Sequence, residues 1–301
     1  MPIRPPAPTP PSSSRPRRWL AAATLAVLSL GLAAGCSTLD EQQRKWIFQP
    51  SDRTWWAGQE AAEGMQDVWI PFVSASSSQT VKLHGLWLAQ PRPDAPVLLY
   101  LHGARWDVRG SAPRMRRMHD LGFAVLGIDY RGFGQSTPEL PSEIAAAEDA
   151  RAAWDWLALQ HPQAPRFLFG HSLGGAIAVR LAASQPPGLA GLMVEGSFTS
   201  IPAVFSTLKW GWLPLGPLIT QRFDAAAVIH RVSAPVLVVH GSEDRLIAPE
   251  LGRALYERAA QPKRWVLVEG GSHHNTHALA QPQYREAMAE LFGLKSGGSG
   301  Q

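Results

Sequence analysis

From about residue 66 onward, short apolar runs alternate with longer stretches of helical periodicity. The apolar runs predict strands at Val68–Val73, Leu83–Leu88, Val97–Leu101, Ala124–Ile128, Phe167–Phe169, Gly191–Val194, Val236–Val239 and Trp265–Val268. The helical spacing predicts helices over Ala112–Leu121, Ser142–Leu159, Leu173–Ala183, Pro249–Ala260 and Pro282–Leu291. Two strands come first, and strand and helix then alternate. That order argues for an α/β fold: a mostly parallel central sheet with helices on both faces. The later strands, such as Val236–Val239, are continuous Val/Leu runs rather than alternating ones, as strands covered on both sides require.

Composition changes this picture mainly at the N-terminus. The chain of 301 residues, 45% hydrophobic, is long enough for one large domain with a full core. Its net charge of +4 would suggest an anionic partner, but the excess belongs to Arg4, Arg15, Arg17 and Arg18, which no acid accompanies in the first 35 residues. Beyond them basic and acidic residues balance, and no basic stripe or motif points to nucleic acid. The run "WLAAATLAVLSLGLAAG", residues 19–35, is short for a membrane span and ends in the small residues of a signal-peptide cleavage region. Cys36 follows directly and is the chain's one cysteine, so no disulfide can form. The expected organisation is a signal peptide over 1–35, a tether over 36–64, the α/β domain over 65–294 and a flexible tail over 295–301.

The chemistry centres on "FLFGHSLGG". Gly170-His171-Ser172-Leu173-Gly174 stands between a predicted strand and a predicted helix. A sharp turn there lifts the serine hydroxyl clear of the backbone, while the flanking glycines let neighbouring segments approach closely. The free N–H groups and positive dipole end of the following helix favour a developing oxyanion. A serine hydroxyl is a weak nucleophile at neutral pH, so it needs a base, and the base needs an orienting acid. Downstream, "PVLVVHGSEDRLIAP" runs a strand into a loop carrying Glu243 and Asp244, and "RWVLVEGGSHHNTH" runs another into His273 and His274. Both loops follow the C-terminal ends of strands, where open α/β sheets build their sites.

Taken in order, "LYLHGARW", "GIDYRGFGQS", "GHSLGG", "HGSEDRLIAP" and "GGSHHNT" resemble the successive landmarks of the α/β-hydrolase family, over about residues 67–294. The nearest likeness is to bacterial serine hydrolases related to depalmitoylases and serine aminopeptidases. The resemblance implies Ser172 as nucleophile, Asp244 as acid and His273 as base. Asp244 matches the family's HGxxDxxxP spacing, whereas Glu243 comes one residue early. The resemblance also implies an oxyanion hole from the N–H of Leu173 and a second N–H, that of Ala104 or of Arg105. "LAAGC" resembles a bacterial lipobox, which makes Cys36 a lipidation site. The alternatives for this leader are a plain secretory signal or an anchor helix.

Other features carry less. His273, His274 and His277 lack the carboxylate partners of a metal site, so neither metal nor cofactor is expected. His102 and His171 read as packed neighbours of the motifs, and Asp129 as a structural residue holding a loop. The apolar segment after Ser197, with Trp210, Trp212 and Leu213, reads as ordinary packing over the sheet or as a small cap that lines an acyl pocket or touches membrane. The expected activity is hydrolysis of a small-molecule ester or thioester through an acyl-enzyme on Ser172. An amidase or peptidase with the same triad is the runner-up, and a non-catalytic scaffold the alternative from another class. The expected location is the bacterial envelope, lipid-anchored and facing the periplasm, with the outer membrane favoured because Ser37, not Asp, follows Cys36.

Overall fold

The computed structural model describes residues 37–209 and 211–294, together with Met1 and Gly35. The expected signal peptide, Cys36, Trp210 and the tail lie outside the described residues.

Eight strands form one sheet in the order β1-β2-β4-β3-β5-β6-β7-β8. They are β1 (Gln66–Val73), β2 (Thr80–Leu88), β3 (Val97–Leu101), β4 (Ala124–Ile128), β5 (Arg166–His171), β6 (Leu189–Glu195), β7 (Val236–Gly241) and β8 (Lys263–Val268). The pairs β1–β2 and β2–β4 are antiparallel, and all others are parallel. The α/β fold expected from the sequence is therefore the one observed.

The pattern of burial explains why the strands read as they do. Strands β3, β4, β5 and β7 are buried at every position. One apolar layer, with Leu99, Leu101, Leu168, Trp154 and Ile177, lies on one face of the sheet. A second, with Tyr100, Phe123, Phe169, Met193 and Tyr284, lies on the other. Edge strand β1 keeps only Ile70 fully inside.

Helix ends follow their local chemistry. Ser142 caps the helix Glu143–Gln160 by accepting the Ala145 N–H at 3.1 Å. Ser200 likewise caps Ile201–Thr207, a short helix between β6 and β7 with no buried residue. The apolar segment after Ser197 thus forms a small outer cap, on which Trp212 is exposed.

Within the expected tether, residues 43–64 belong to the folded domain, since the chain from Gln43 onward forms one compact unit. Residues 37–48 are helical, and Trp56–Ala62 forms a further helix. Phe48 is wholly buried, packed edge-on against Phe223 with ring centroids 5.5 Å apart and tilted against Phe133 at 6.4 Å. Its aromatic ring fills a gap between segments distant in sequence, which no local pattern foretells.

Candidate active site

Strand β5 and the helix Leu173–Ala183 meet at Ser172, whose φ of 55° and ψ of −123° fall outside the regions that residues with a side chain favour. Tertiary contacts hold this strained turn. The Ser172 N–H donates to the Glu195 carbonyl at 2.9 Å. A Cβ on Gly174 would collide with the Leu101 and His102 carbonyls, and one on Gly170 would meet the Gly175 Cα at 2.5 Å. Both glycines are required for close approach to strand and helix.

The acid and base arrive on the loops after β7 and β8. Asp244 is buried and receives the Leu246 and Ile247 N–H groups on Oδ1, each at 2.9 Å. Its Oδ2 lies 2.7 Å from His273 Nδ1. Burial opposes charge on Asp244. The hydrogen bonds from His240 and His273, the charge of His273 and the Ile247 N–H outweigh that and hold the carboxyl below the ordinary aspartate range. Neighbouring Glu243 is exposed, and the ion pair of His273 is with Asp244. A Cβ on Gly196, the residue after Glu195, would lie 3.4 Å from His273 Nδ1 and 3.5 Å from Asp244 Oδ2. The imidazole–carboxylate pair thus sits beside the strand end that binds the Ser172 backbone. Among the described residues no hydrogen bond joins Ser172 Oγ to the His273 ring; such bonds are often long in a free enzyme and tighten with substrate.

The loop after β3 closes the other side. A Cβ on Gly103 would come within 3.0 Å of Ser172 Cβ. Arg105 and Trp106 both adopt positive φ, 66° and 55°, so the loop stores strain where it borders the serine. The Arg105 N–H donates to the Phe48 carbonyl at 2.9 Å and is therefore occupied. The Ala104 N–H makes no hydrogen bond among the described residues, and the Leu173 N–H, first in its helix, has no intrahelical acceptor. Of the two second donors left open by sequence, Ala104 is the one available. Beneath this loop, Asp129 accepts the Val108 N–H at 2.7 Å and faces His84 Nδ1 at 3.1 Å. Burial lowers the pKa of His102, whose Nδ1–H donates to the Gly103 carbonyl at 2.7 Å.

The histidine after His273 points elsewhere. His274 is exposed, its ring nearly perpendicular to that of His273 with centroids 5.5 Å apart. Burial and the neighbouring His273 lower its pKa.

Sequence reasoning passed over a buried set that fixes the His273 loop. Arg114, on the helix Ala112–Asp120, donates to the His273 carbonyl at 2.9 Å and to Glu195 Oε1 at 3.1 Å. Tyr284 donates to Glu195 Oε2 at 2.8 Å, and His171 Nε2–H to the same His273 carbonyl at 3.2 Å. Burial, the Arg114 charge and His273 push the His171 pKa well down, so its ring serves as a neutral donor. Likewise His240 is buried, with Nε2–H on the Ile247 carbonyl at 3.0 Å and Asp244 Oδ2 at 3.3 Å. A charged residue ending an apolar strand, Glu195, was the available signal. Among the described residues, no group of three His, Cys, Asp or Glu is arranged to hold a metal ion.

A strained serine between strand and helix, a carboxylate–imidazole pair on later loops and an eight-stranded, mostly parallel sheet together make the architecture of an α/β-hydrolase. A family model described as serine aminopeptidase, S33, matches residues 92–223. The uncharacterized protein Rv2307c of Mycobacterium tuberculosis is 33% identical over 87% of this chain and 92% of its own length. Lysophosphatidylserine lipase ABHD12 of Rattus norvegicus is 30% identical over 71% of this chain; the match spans 52% of that lipase. Among solved structures, Est1E from Butyrivibrio proteoclasticus with bound ferulic acid has a TM-score of 0.62 at 16% identity, covering 75% of this chain and all of that one. The Pyrococcus furiosus esterase Pf2001 also has a TM-score of 0.62, at 18% identity, covering 81% of this chain and 99% of that one. The chain belongs to the α/β-hydrolase family, and the protein is a hydrolase.

Proposed function

We propose that the protein cleaves carboxylic esters or thioesters through an acyl-enzyme on Ser172. The observation that carries this reading is the 2.7 Å contact of His273 Nδ1 with the buried Asp244 carboxylate, on the loop that faces the Ser172 turn. A carboxylate at Nδ1 fixes the tautomer that leaves Nε2 free to accept a proton. The steps follow from that arrangement. The Ser172 hydroxyl gives its proton to His273 Nε2 as Oγ attacks the acyl carbon. The oxygen of the tetrahedral intermediate takes hydrogen bonds from the Leu173 and Ala104 N–H groups. His273 then protonates the leaving alcohol or thiol, and water, deprotonated by the same imidazole, releases the acid. The lipase and esterase names among the relatives support an ester substrate. The aminopeptidase name of the matching family model favours the same triad acting on amides.

The leader supports a location as well. Lipidation of Cys36 would hold the domain at the bacterial envelope, on its periplasmic side, with the outer membrane favoured.

The test is Ser172→Ala. We expect fluorophosphonate labelling to vanish and hydrolysis of p-nitrophenyl butyrate to fall by about three orders of magnitude or more, with the melting profile little changed. Near-normal turnover by the variant would overturn the mechanism. Faster cleavage of aminoacyl p-nitroanilides than of matched esters, after allowing for their lower intrinsic reactivity, would favour the amide reading.

A further inference from the structure

Large apolar side chains stand open to solvent on segments that hydrogen bonds connect to the loop bordering Ser172. Trp46 is 72% exposed, Trp56 79% and Trp212 74%, with Trp55, Trp106 and Leu218 also open to solvent. Soluble surfaces seldom expose so many large rings together without a partner.

These side chains come from four separate segments, and hydrogen bonds join the segments into one rim. The Trp46 carbonyl accepts the Gln49 Nε2–H at 3.0 Å, and Gln49 Oε1 accepts the Arg105 Nε–H at 2.7 Å. Trp106 follows Arg105 and packs on Gly110, whose carbonyl accepts the Trp55 Nε1–H at 3.1 Å. On the other side, Gln43 donates to the Leu218 carbonyl at 2.8 Å and accepts the Thr220 N–H at 2.8 Å. The cap, the 43–56 stretch and the loop carrying Ala104 are thereby tied together at the edge of the Ser172 site.

We infer that this rim is a docking surface for a lipid bilayer, and that the hydrolysed ester is a membrane lipid drawn from it. The inference rests on the ester-hydrolase reading. Tryptophan suits the role because its amphipathic ring is enriched at membrane–water boundaries. The chain itself names the partner: the apolar run ends at Gly35, and Cys36 precedes Gln43 by seven residues, a reach of no more than about 25 Å even when fully extended. A lipid anchor at Cys36 would tether the domain to a bilayer through this short stretch of chain.

The experiment compares the full chain with a Trp46→Ser, Trp56→Ser, Leu218→Ser variant, both retaining Cys36. Each is assayed on p-nitrophenyl butyrate dissolved in water and on p-nitrophenyl palmitate embedded in phosphatidylethanolamine–phosphatidylglycerol vesicles. The expected result is at least a tenfold loss on the vesicle ester, with the dissolved ester cleaved within about twofold of the parent rate. Equal loss on both esters, or loss on neither, overturns the docking surface. A parent that cleaves the dissolved ester but not the embedded one overturns it too, leaving the ester reading intact. A parent inactive on both defeats the ester reading itself. A variant that changes only the oligomeric state would assign the rim to a second copy of the chain and overturn the bilayer.

Discussion

His273 and His274 are chemically identical neighbours placed in different surroundings. His273 is buried against Asp244, and its carbonyl is held by Arg114 and His171, so its backbone position does not depend on its own ring. His274 stands in solvent with no carboxylate at hydrogen-bond distance among the described residues. We expect His273→Ala to lower esterase turnover by about three orders of magnitude while the loop keeps its place. His274→Ala should retain activity within about threefold, since exposed substitutions away from such networks are mild. Steady-state kinetics on a soluble ester separates the two, and the reverse pattern would move the base one residue along the chain.

The turn from β5 into the helix Leu173–Ala183 depends on atoms that are missing as much as on those present. A methyl group on Gly170 would press into the Gly174 carbonyl and the Gly175 Cα, both main chain and unable to swing aside. A methyl on Gly216, in the cap, would meet nothing within 4 Å. Gly170→Ala should therefore destabilise the protein by about 2–3 kcal/mol, the scale of an overpacked core, and displace Ser172. Gly216→Ala should leave stability nearly unchanged. Urea denaturation of the two variants checks the contrast; equal midpoints would mean that the elbow yields more readily than its contacts imply.

The domain as a whole begins earlier than its first strand. Phe48 lies in the main apolar layer although β1 starts only at Gln66, and its carbonyl receives the Arg105 N–H of the loop beside Ser172. Fold and site thus share this one residue. Phe48→Ala should cost about 3–5 kcal/mol, the range for emptying a buried aromatic position, and should loosen the Ala104 loop enough to slow turnover. A shortened chain starting at Gln43 should stay folded, whereas one starting at Gly64 should not. Denaturation curves for the three proteins decide whether residues 43–64 are core or tether.

Much of this molecule was legible in the chain because its signals are local. Continuous Val/Leu runs mark strands covered on both faces, and the glycines around Ser172 mark a turn that only they can make. The order of Ser172, Asp244 and His273 along the chain follows from strand ends that lie on one side of a parallel sheet. Other features depend on contacts between residues far apart in sequence. The elbow's main-chain anchor is Glu195, the His273 loop is held by Arg114 from a helix about 160 residues earlier, and Arg105 loses its N–H to Phe48. Sequence periodicity reports which face of an element is apolar, since that depends on its own residues. It cannot report which distant donor a buried carbonyl will meet, because that is decided only when the elements pack and every buried polar group must find a partner.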